Sequence, residues 1–231
     1  MKVQRLRLRY AVTDACQLNH RELLADWERA AREAGIAVAY SEGKRPAPQI
    51  SVGALLPQGV TSDDEVMDIF LSERINPPVA FDALRERVPL GISLQSVDEI
   101  GASSASLQSQ IRWAEYRVEV PTGETSAEYL QQAIDELLES DTWPAEYRRE
   151  KKVREYDLRP LVIDVRLEGE RDGCFVLRLA LVAEQGRSAR ADQVVLALGL
   201  PEARRIHRLA LHLERVPASV LAYRSSDGIE S

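Results

Sequence analysis

Apolar and polar residues alternate near the start of the chain. Every second residue from Leu6 to Val12 is apolar, and the intervening series begins with arginine at positions 5, 7 and 9. A period of two places successive side chains on opposite faces of an extended backbone. Residues 3–12 are therefore predicted to form a half-buried strand.

The pattern then changes to the three-to-four-residue spacing of a helix. Asn19 is a favourable N-cap, and Glu22 three positions later completes a capping box. Leu18 and Leu23 can contact each other across this cap, and Gly35 supplies a left-handed stop. These signals predict an amphipathic helix that packs on a sheet.

The rest of the first half alternates between strand-like and helical segments. A helix follows Pro77-Pro78, and the apolar runs before and after it predict strands at 36–40, 50–56, 65–71 and 92–100. The order is β-α-β-β-α-β, the ferredoxin-like plan, with an enlarged loop between the second and third strands.

The order repeats after a Ser-, Ala- and Gln-rich stretch at 101–110, which we interpret as a boundary. A capping box at Thr125–Glu128 and a cap at Asp192 each predict a helix, and Arg171-Asp172-Gly173 predicts a hairpin. Strands are predicted at 112–120, 161–167, 174–182 and 205–213. We therefore predict an α+β protein of two tandem ferredoxin-like halves, residues 1–104 and 105–216, with a frayed tail at 217–231.

Composition limits the classes of protein that fit. The 231 residues are 45% hydrophobic and 29% charged, which suits a folded globular protein. No apolar run approaches the roughly 18 residues that span a bilayer, and the first residues do not resemble a signal peptide, so a cytoplasmic location is expected. The net charge of −7 argues against a general polyanion binder, so any contact with nucleic acid must be local.

Several chemical signatures are absent from the sequence. Cys16 and Cys174 have no CxxC partner, so neither a zinc site nor a disulfide is predicted. The phosphate loop, the dinucleotide fingerprint, the HExxH motif and the GxSxG motif are also missing. No three-cysteine cluster is present to hold an iron–sulfur cluster. We therefore expect no metal and no cofactor in this chain.

His20 is the candidate catalytic residue. It lies in the first turn of its predicted helix, where the positive end of the helix dipole favours neutral imidazole. Such a histidine could act as a general base or donate a hydrogen bond to phosphate. The alternative is a structural bond to a loop backbone.

A loop rich in proline and glycine is the candidate for anion or nucleotide binding. Its polar members are Tyr40, Ser41, Lys44, Arg45 and Gln49. Ordinary loop chemistry explains the same composition. Glu65 and Asp68 could form ion pairs with the two cations, but three residues apart they cannot share one face of a strand.

The segment from Tyr147 to Arg159 is the main local concentration of positive charge, with six cations against three carboxylates. The cations are Arg148, Arg149, Lys151, Lys152, Arg154 and Arg159. Tyrosines interleave with them, and aromatic and cationic side chains together suit RNA, because bases stack while phosphates pair. A solvated strand face is the alternative. Residues 187–190 form a smaller candidate for anion contact.

Residues 20–68 resemble the signature of a bacterial domain-of-unknown-function family linked to radical SAM proteins. The resemblance is carried by His20, by the helix end at 31–35, by Val38–Gly43, and by single residues through Asp68. Its members form the C-terminal part of B12-binding radical SAM proteins or are encoded beside them. Lys44–Pro48 departs from the family, which commonly has Phe-Asn-Pro-His-Pro there and thus a histidine that this chain lacks.

The resemblance implies a separately encoded radical SAM protein as partner, but no reaction. We expect an accessory or substrate-presenting protein that is not catalytic itself and acts on RNA. One alternative is a stand-alone RNA-processing or nucleotide-modifying enzyme with His20 as base. Another is an RNA- or ribosome-associated binding module.

Overall fold

The computed structural model describes residues 2–101, 103–149 and 152–213, and of 147–149 and 152–154 it describes the backbone alone. The chain divides into two units, residues 1–111 and the remainder from Arg112. The sequence placed a boundary between residues 104 and 105. Lys151 and the predicted tail at 217–231 lie outside the described residues.

Among its described residues, the first unit contains four strands and three helices. They are β1 (Gln4–Val12), α1 (His20–Glu33), β2 (Ile50–Val52), β3 (Thr61–Leu71), α2 (Pro77–Arg85), β4 (Ile92–Glu99) and the short α3 (Leu107–Gln110). The strands lie in the order β2-β3-β1-β4, and every neighbouring pair is antiparallel. The strand predicted at 36–40 makes only isolated bridges, at Val38 and Tyr40, and the regular strand that follows α1 begins at Ile50.

Helix α1 begins and ends where the sequence predicts. The Asn19 side chain accepts hydrogen bonds from the backbone N–H groups of Arg21 and Glu22, at 3.0 and 3.1 Å. The Glu22 carboxylate accepts one from the Asn19 backbone at 2.9 Å, which completes the capping box. Gly35 adopts φ 70°, a left-handed conformation that glycine takes without steric cost.

One face of the first sheet forms the apolar core of the unit. The alternating apolar residues of β1 are buried against Trp27 of α1 and Leu84 of α2. The Trp27 ring meets Tyr10 edge to face, with 5.4 Å between centroids. The period of two in the sequence therefore correctly identified the apolar face of β1, although the strand is not half-buried as predicted, because Arg5 and Arg7 on the other face are buried too.

The other face of the sheet buries charge. Asp68 on β3 is 0% exposed and accepts hydrogen bonds from Arg5 Nε and Arg7 Nε, both at 2.8 Å. Arg5 Nη1 and Nη2 donate to the backbone oxygens of Ser104 and Ala105, respectively, at 2.9 Å each, and Nη2 also donates to Asp68. The stretch expected to be a boundary thus covers a buried Arg–Asp–Arg cluster, and Asp68 pairs with β1 rather than with Lys44 or Arg45.

The second unit has the same core order with additions. Its elements are β5 (Trp113–Pro121), α4 (Ala127–Glu139), β6 (Pro144–Arg149), β7 (Lys152–Asp157), a 3-10 turn (Arg159–Leu161), β8 (Val162–Arg171), β9 (Cys174–Glu184), β10 (Arg187–Ser188), α5 (Ala191–Ala197) and β11 (Arg205–His212). The strands lie in the order β11-β5-β9-β8, all antiparallel, with β10 beside β9. Strands β6 and β7 pair with each other as a separate two-stranded sheet.

Local signals in the second unit are partly corrected. The hairpin predicted between β8 and β9 is confirmed, with Asp172 and Gly173 at φ 50° and 69°. The N-cap of α4 is Ser126 rather than Thr125, because the Ser126 hydroxyl accepts the hydrogen bond from Tyr129 N–H. The N-cap of α5 is Arg190, and Asp192 lies in the first turn instead.

Both units are thus mixed α/β structures built on mostly antiparallel sheets. Their central strands follow the same order along the chain and within the sheet. Among the described residues, no helix combines the length and the apolar character needed to span a membrane.

We predict that Asp68→Asn lowers the free energy of unfolding by about 3–5 kcal/mol, because two buried guanidinium groups lose their counter-charge. Asp64→Asn is the matched control. Asp64 binds Arg9 at 2.6 Å, but these side chains are 27% and 37% exposed, so we expect a loss below about 1 kcal/mol. Urea unfolding measures both values. Equal losses for the two variants would contradict the prediction.

Candidate functional site

A pocket opens in the first unit beside the start of α1. Its volume is about 40 Å³. It is lined by residues from β1, β3, β4 and α1, and by residues of the loop that follows β2. Buried side chains form the floor, notably Tyr10 and Glu65, which are register partners on β1 and β3 and are each 1% exposed. His20 and Gln58 are exposed lining residues.

Most of the pocket wall is aliphatic and half-buried. The half-buried apolar lining residues are Leu18, Leu23, Val52, Ala54, Leu56 and Val60. Residues opposite each other on antiparallel strands share a face, so Glu65 lies on the same face as Tyr10, whereas Asp68 lies on the other. The expectation that Glu65 and Asp68 lie on different faces is therefore confirmed.

Cys16 reaches the pocket through a close backbone approach to Gly91. A Cβ atom added at Gly91 would lie 2.2 Å from the Cys16 nitrogen, and Gly91 has φ 80°. Thr13 N–H donates to the Gly91 carbonyl at 2.8 Å, and Cys16 N–H donates to the Thr13 carbonyl at 3.0 Å. Only glycine allows this loop to pack so closely, and the packing places Cys16 at the pocket.

The pocket does not resemble an anion site. The first-turn N–H groups of Arg21 and Glu22 are already bound by the Asn19 side chain. No lysine or arginine is among the described lining residues. The phosphate role considered for His20 thus has no support from its surroundings, and its role as a base stays a prediction.

The loop with the predicted anion-binding residues is a separate feature, and its residues 40–49 are not among those that line the pocket. Backbone bonds close the loop: Ser41 N–H donates to the Ala47 carbonyl at 2.9 Å, and Ala47 N–H donates to the Ser41 hydroxyl at 3.0 Å. The Tyr40 hydroxyl donates to the Glu28 carboxylate on α1. This hydrogen bond is the main reason that the pKa of Tyr40 is raised.

Lys44 and Arg45 are the two cations among the five predicted loop residues. Tyr40 and Ser41 hold the loop, and Gln49 joins it to the sheet through backbone bonds to Ala39 and Phe70. Lys44 and Arg45 are exposed at its tip, and neither forms an ion pair with any residue that the structure describes. Anion binding by these two cations stays a prediction.

The basic segment forms the β6–β7 ribbon. Asp157 fixes its base, because the Asp157 carboxylate accepts from the backbone N–H groups of Trp143 and Arg159, at 2.7 and 3.0 Å. Leu158 N–H also donates to the Trp143 carbonyl at 2.8 Å. An isolated two-stranded ribbon is marginal in water, so this clamp matters for its stability.

The strand register separates the charges of the ribbon by face. Tyr147 pairs with Arg154, Arg149 with Lys152, and Ala145 with Tyr156. Directly opposed residues lie on one face and alternate with those of the other, so these three pairs, none of which includes a carboxylate, share a face. We call this set the basic face. The other face takes the pairs Glu146 with Glu155, Arg148 with Val153, and Pro144 with Asp157.

Arg159 has backbone partners, and Arg190 of the smaller candidate has a carboxylate partner. The Arg159 guanidinium donates to the carbonyls of Leu138 and Val162, at 2.8 Å each, and so links α4 to β8. Arg190 forms a bidentate pair with Asp192 at 2.9 Å. Tyr156 lies near this pair, and burial followed by the Asp192 charge raises the pKa of Tyr156.

Metal binding finds no support in the described part of the chain. No group of three histidine, cysteine or acidic residues there could hold a metal ion, although Cys16, His20 and Glu65 line one pocket. Cys16 and Cys174 are both free thiols.

The sequence analysis proposed His20 as a site residue and considered Glu65 only for ion pairing, and it did not identify Tyr10 or Gln58 as site residues. The signal that could have found them is an acidic residue, Glu65, within an apolar strand, combined with a Pro-Gln-Gly turn nearby. Only the β1–β3 register places Glu65 beside Tyr10.

The fold and the sequence together place the chain among known proteins. It is a mixed α/β protein, and it belongs to the bacterial family described as "Uncharacterized protein conserved in bacteria (DUF2344)", whose sequence model matches residues 5–191. No curated protein matches it.

Solved structures share the fold at low sequence identity. A chain of the crystal structure of a Cbf5–Nop10–Gar1 complex has a TM-score of 0.50 and 12% identity, over 96% of this chain and 57% of that chain. A chain of an H/ACA RNP bound to a substrate RNA containing 2′-deoxyuridine has a TM-score of 0.46 and 12% identity, over 96% of this chain and 56% of that chain. A chain of the archaeal box H/ACA sRNP Nop10–Cbf5 complex has a TM-score of 0.44 and 11% identity, over the same shares of the two chains. This chain therefore spans little more than half of those chains, and the first likeness is one of fold alone.

We predict that Gly91→Ala destabilises the protein at least twice as much as Gly59→Ala. Both glycines have positive φ, 80° and 81°, which costs an alanine about 1–2 kcal/mol. A Cβ atom meets nothing within 4 Å at Gly59 but clashes with the Cys16 backbone at Gly91. Thermal and urea unfolding compare the two variants. Equal destabilisation would show that the approach of Cys16 to Gly91 is not tight in solution.

Proposed function

We propose that this protein binds single-stranded RNA on the basic face of its β6–β7 ribbon and presents it to a separately encoded radical SAM enzyme in the bacterial cytoplasm. The observation that carries the RNA part is the strand register of the ribbon. It places Arg149, Lys152 and Arg154 on the same face as Tyr147 and Tyr156, and all three acidic residues of the two strands on the other.

Cations and tyrosines on one face suit a single strand better than a duplex. Unpaired bases can stack on aromatic rings, which contributes about 1–3 kcal/mol per base, while the cations pair with phosphates. In a duplex the base faces are already stacked, so the tyrosines have little to bind. The overall charge of −7 confines the attraction to this local surface.

The fold is similar to that of a chain of a Cbf5–Nop10–Gar1 complex, with a TM-score of 0.50. We also interpret the β-α-β-β-α-β order of each unit, with sheet orders β2-β3-β1-β4 and β11-β5-β9-β8, as two ferredoxin-like halves.

The partner is proposed from the resemblance of residues 20–68 to a family linked to radical SAM proteins. The chain has only two cysteines, fewer than the three that usually hold the cluster of such an enzyme. A non-catalytic role beside a cluster-bearing partner agrees with both observations. The exposed loop tip with Lys44 and Arg45 is the proposed contact for a phosphate or an acidic surface.

We predict salt-dependent binding of a fluorescein-labelled oligouridine by the purified protein. For three cations that each neutralise one phosphate, the logarithm of the affinity should fall with the logarithm of the salt concentration with a slope of about −2. Fluorescence anisotropy over a KCl series measures the slope. Each of Arg149→Gln, Lys152→Gln and Arg154→Gln should weaken binding and reduce the slope by about 0.7.

Arg148→Gln is the matched control, because it removes the same charge from the same ribbon but from the other face. We expect it to leave the slope unchanged. Equal effects of Arg148→Gln and Lys152→Gln, or binding that salt does not weaken, would overturn the proposed RNA surface.

We predict that the tagged protein, isolated under anaerobic conditions from the native host, recovers a protein with a three-cysteine cluster motif, identified by mass spectrometry. The matched control is the tagged variant Lys44→Ser with Arg45→Ser, which should recover less of it if the loop makes the contact. Recovery of no radical SAM protein by the unaltered chain would overturn the proposed partner while leaving the RNA measurements intact.

A further inference from the structure

We propose that the pocket beside α1 binds a small uncharged ligand with a branched aliphatic body and one hydrogen-bonding head group such as an amide. This site is separate from the ribbon and does not depend on the RNA proposal. The pocket is lined by residues of β1, β3, β4 and α1, and by residues of the loop that follows β2, all of them in the first unit.

The aliphatic part of the ligand follows from the wall. Leu23, Val52 and Val60 are only half-buried, so apolar surface facing the opening remains in contact with water. Covering such surface is favourable by roughly 25 cal/mol per Å². A branched aliphatic group fills a concave apolar wall better than a linear one, because it contacts several side chains at once.

The polar head group follows from the floor. Tyr10 and Glu65 are nearly fully buried, and the face that carries them also carries the pocket. A carboxylate has about four lone-pair sites, so an additional bond to Glu65 is compatible with the contacts that it already makes. An amide N–H or a hydroxyl can supply the donor at this position.

The described lining of the pocket does not favour an anionic head group. Glu65 is the acidic lining residue, and no lysine or arginine is among the described lining residues. The α1 amides that usually attract anions are bound by Asn19, and the Glu22 carboxylate lies beside them. A carboxylate or phosphate would lose its hydration here without gaining a cation.

The size of the pocket limits the ligand. A volume of about 40 Å³ accommodates only a few water-sized groups, since one water needs roughly 10–15 Å³ by the same measure. The head group and part of the aliphatic body can therefore enter, while the remainder stays at the opening near His20 and Gln58. A free small molecule or the end of a longer one satisfies this limit.

The test compares two probes with the same body and different heads, isovaleramide and isovalerate. We expect isovaleramide to shift the methyl NMR resonances of Leu23, Val52 and Val60, with a dissociation constant on the order of 1 mM, typical of a fragment of this size. Isovalerate should bind at least ten-fold more weakly. The half-exposed Cys16 thiol should also react more slowly with iodoacetamide in the presence of isovaleramide.

Ala54→Leu fills the pocket and should abolish both effects of isovaleramide. Val79→Leu enlarges an exposed residue of α2 outside the pocket and should leave them unchanged. Equal binding of isovalerate would overturn the proposed head group. Unchanged binding to Ala54→Leu, or no shift with isovaleramide up to its solubility limit, would overturn the site. Neither result bears on RNA binding by the ribbon.

Discussion

The first unit depends on one buried carboxylate. Asp68 is fully buried and binds Arg5 and Arg7, while the backbone carbonyls of Ser104 and Ala105 accept further hydrogen bonds from Arg5. The pairing fixes the β1–β3 register, because a slip of one residue would move both arginines to the apolar face. The same register places Glu65 beside Tyr10 at the floor of the pocket. A structural ion cluster on one face of the sheet thus determines the chemistry of the other.

The two units use this sheet plan for different surfaces. The first unit offers a small pocket with aliphatic walls and a polar floor, and its helix N-terminus is closed to anions by its own capping box. The second carries a ribbon whose register collects cations and tyrosines on one face. The proposed preferences for an uncharged ligand and for a polyanion are compatible in one acidic chain, because each would be set by local charge rather than by the net charge.

Sequence reasoning succeeded for several local signals, although the caps assigned to Thr125 and Asp192 were wrong. The Asn19 cap, the Gly35 stop and the turn at Asp172 depend on a few neighbouring residues, and the structure confirms each of them. The partner of Asp68 could not be predicted, because Arg5 and Lys44 are equally suitable cations until the register is known. The pocket was missed for the same reason. Cys16, Gln58 and Glu65 come together only through strand pairing and packing between segments that are far apart in sequence. The separation of charges between the two faces of the ribbon likewise could not be predicted without the strand register, because the composition shows only a segment with both cations and carboxylates.

The position of the ribbon in the second unit has a counterpart in the first. It lies between α4 and β8, and the Tyr40–Gln49 loop lies between α1 and β2, which is the same connection in the shared order of elements. In the described part of the chain, β2 and β8 each pair with a single neighbouring strand. Extra residues at this connection interrupt no strand pair, and each doubling of a flexible loop costs only about 0.6 kcal/mol. The length and charge of this one connection can therefore change while the cores of both units stay intact.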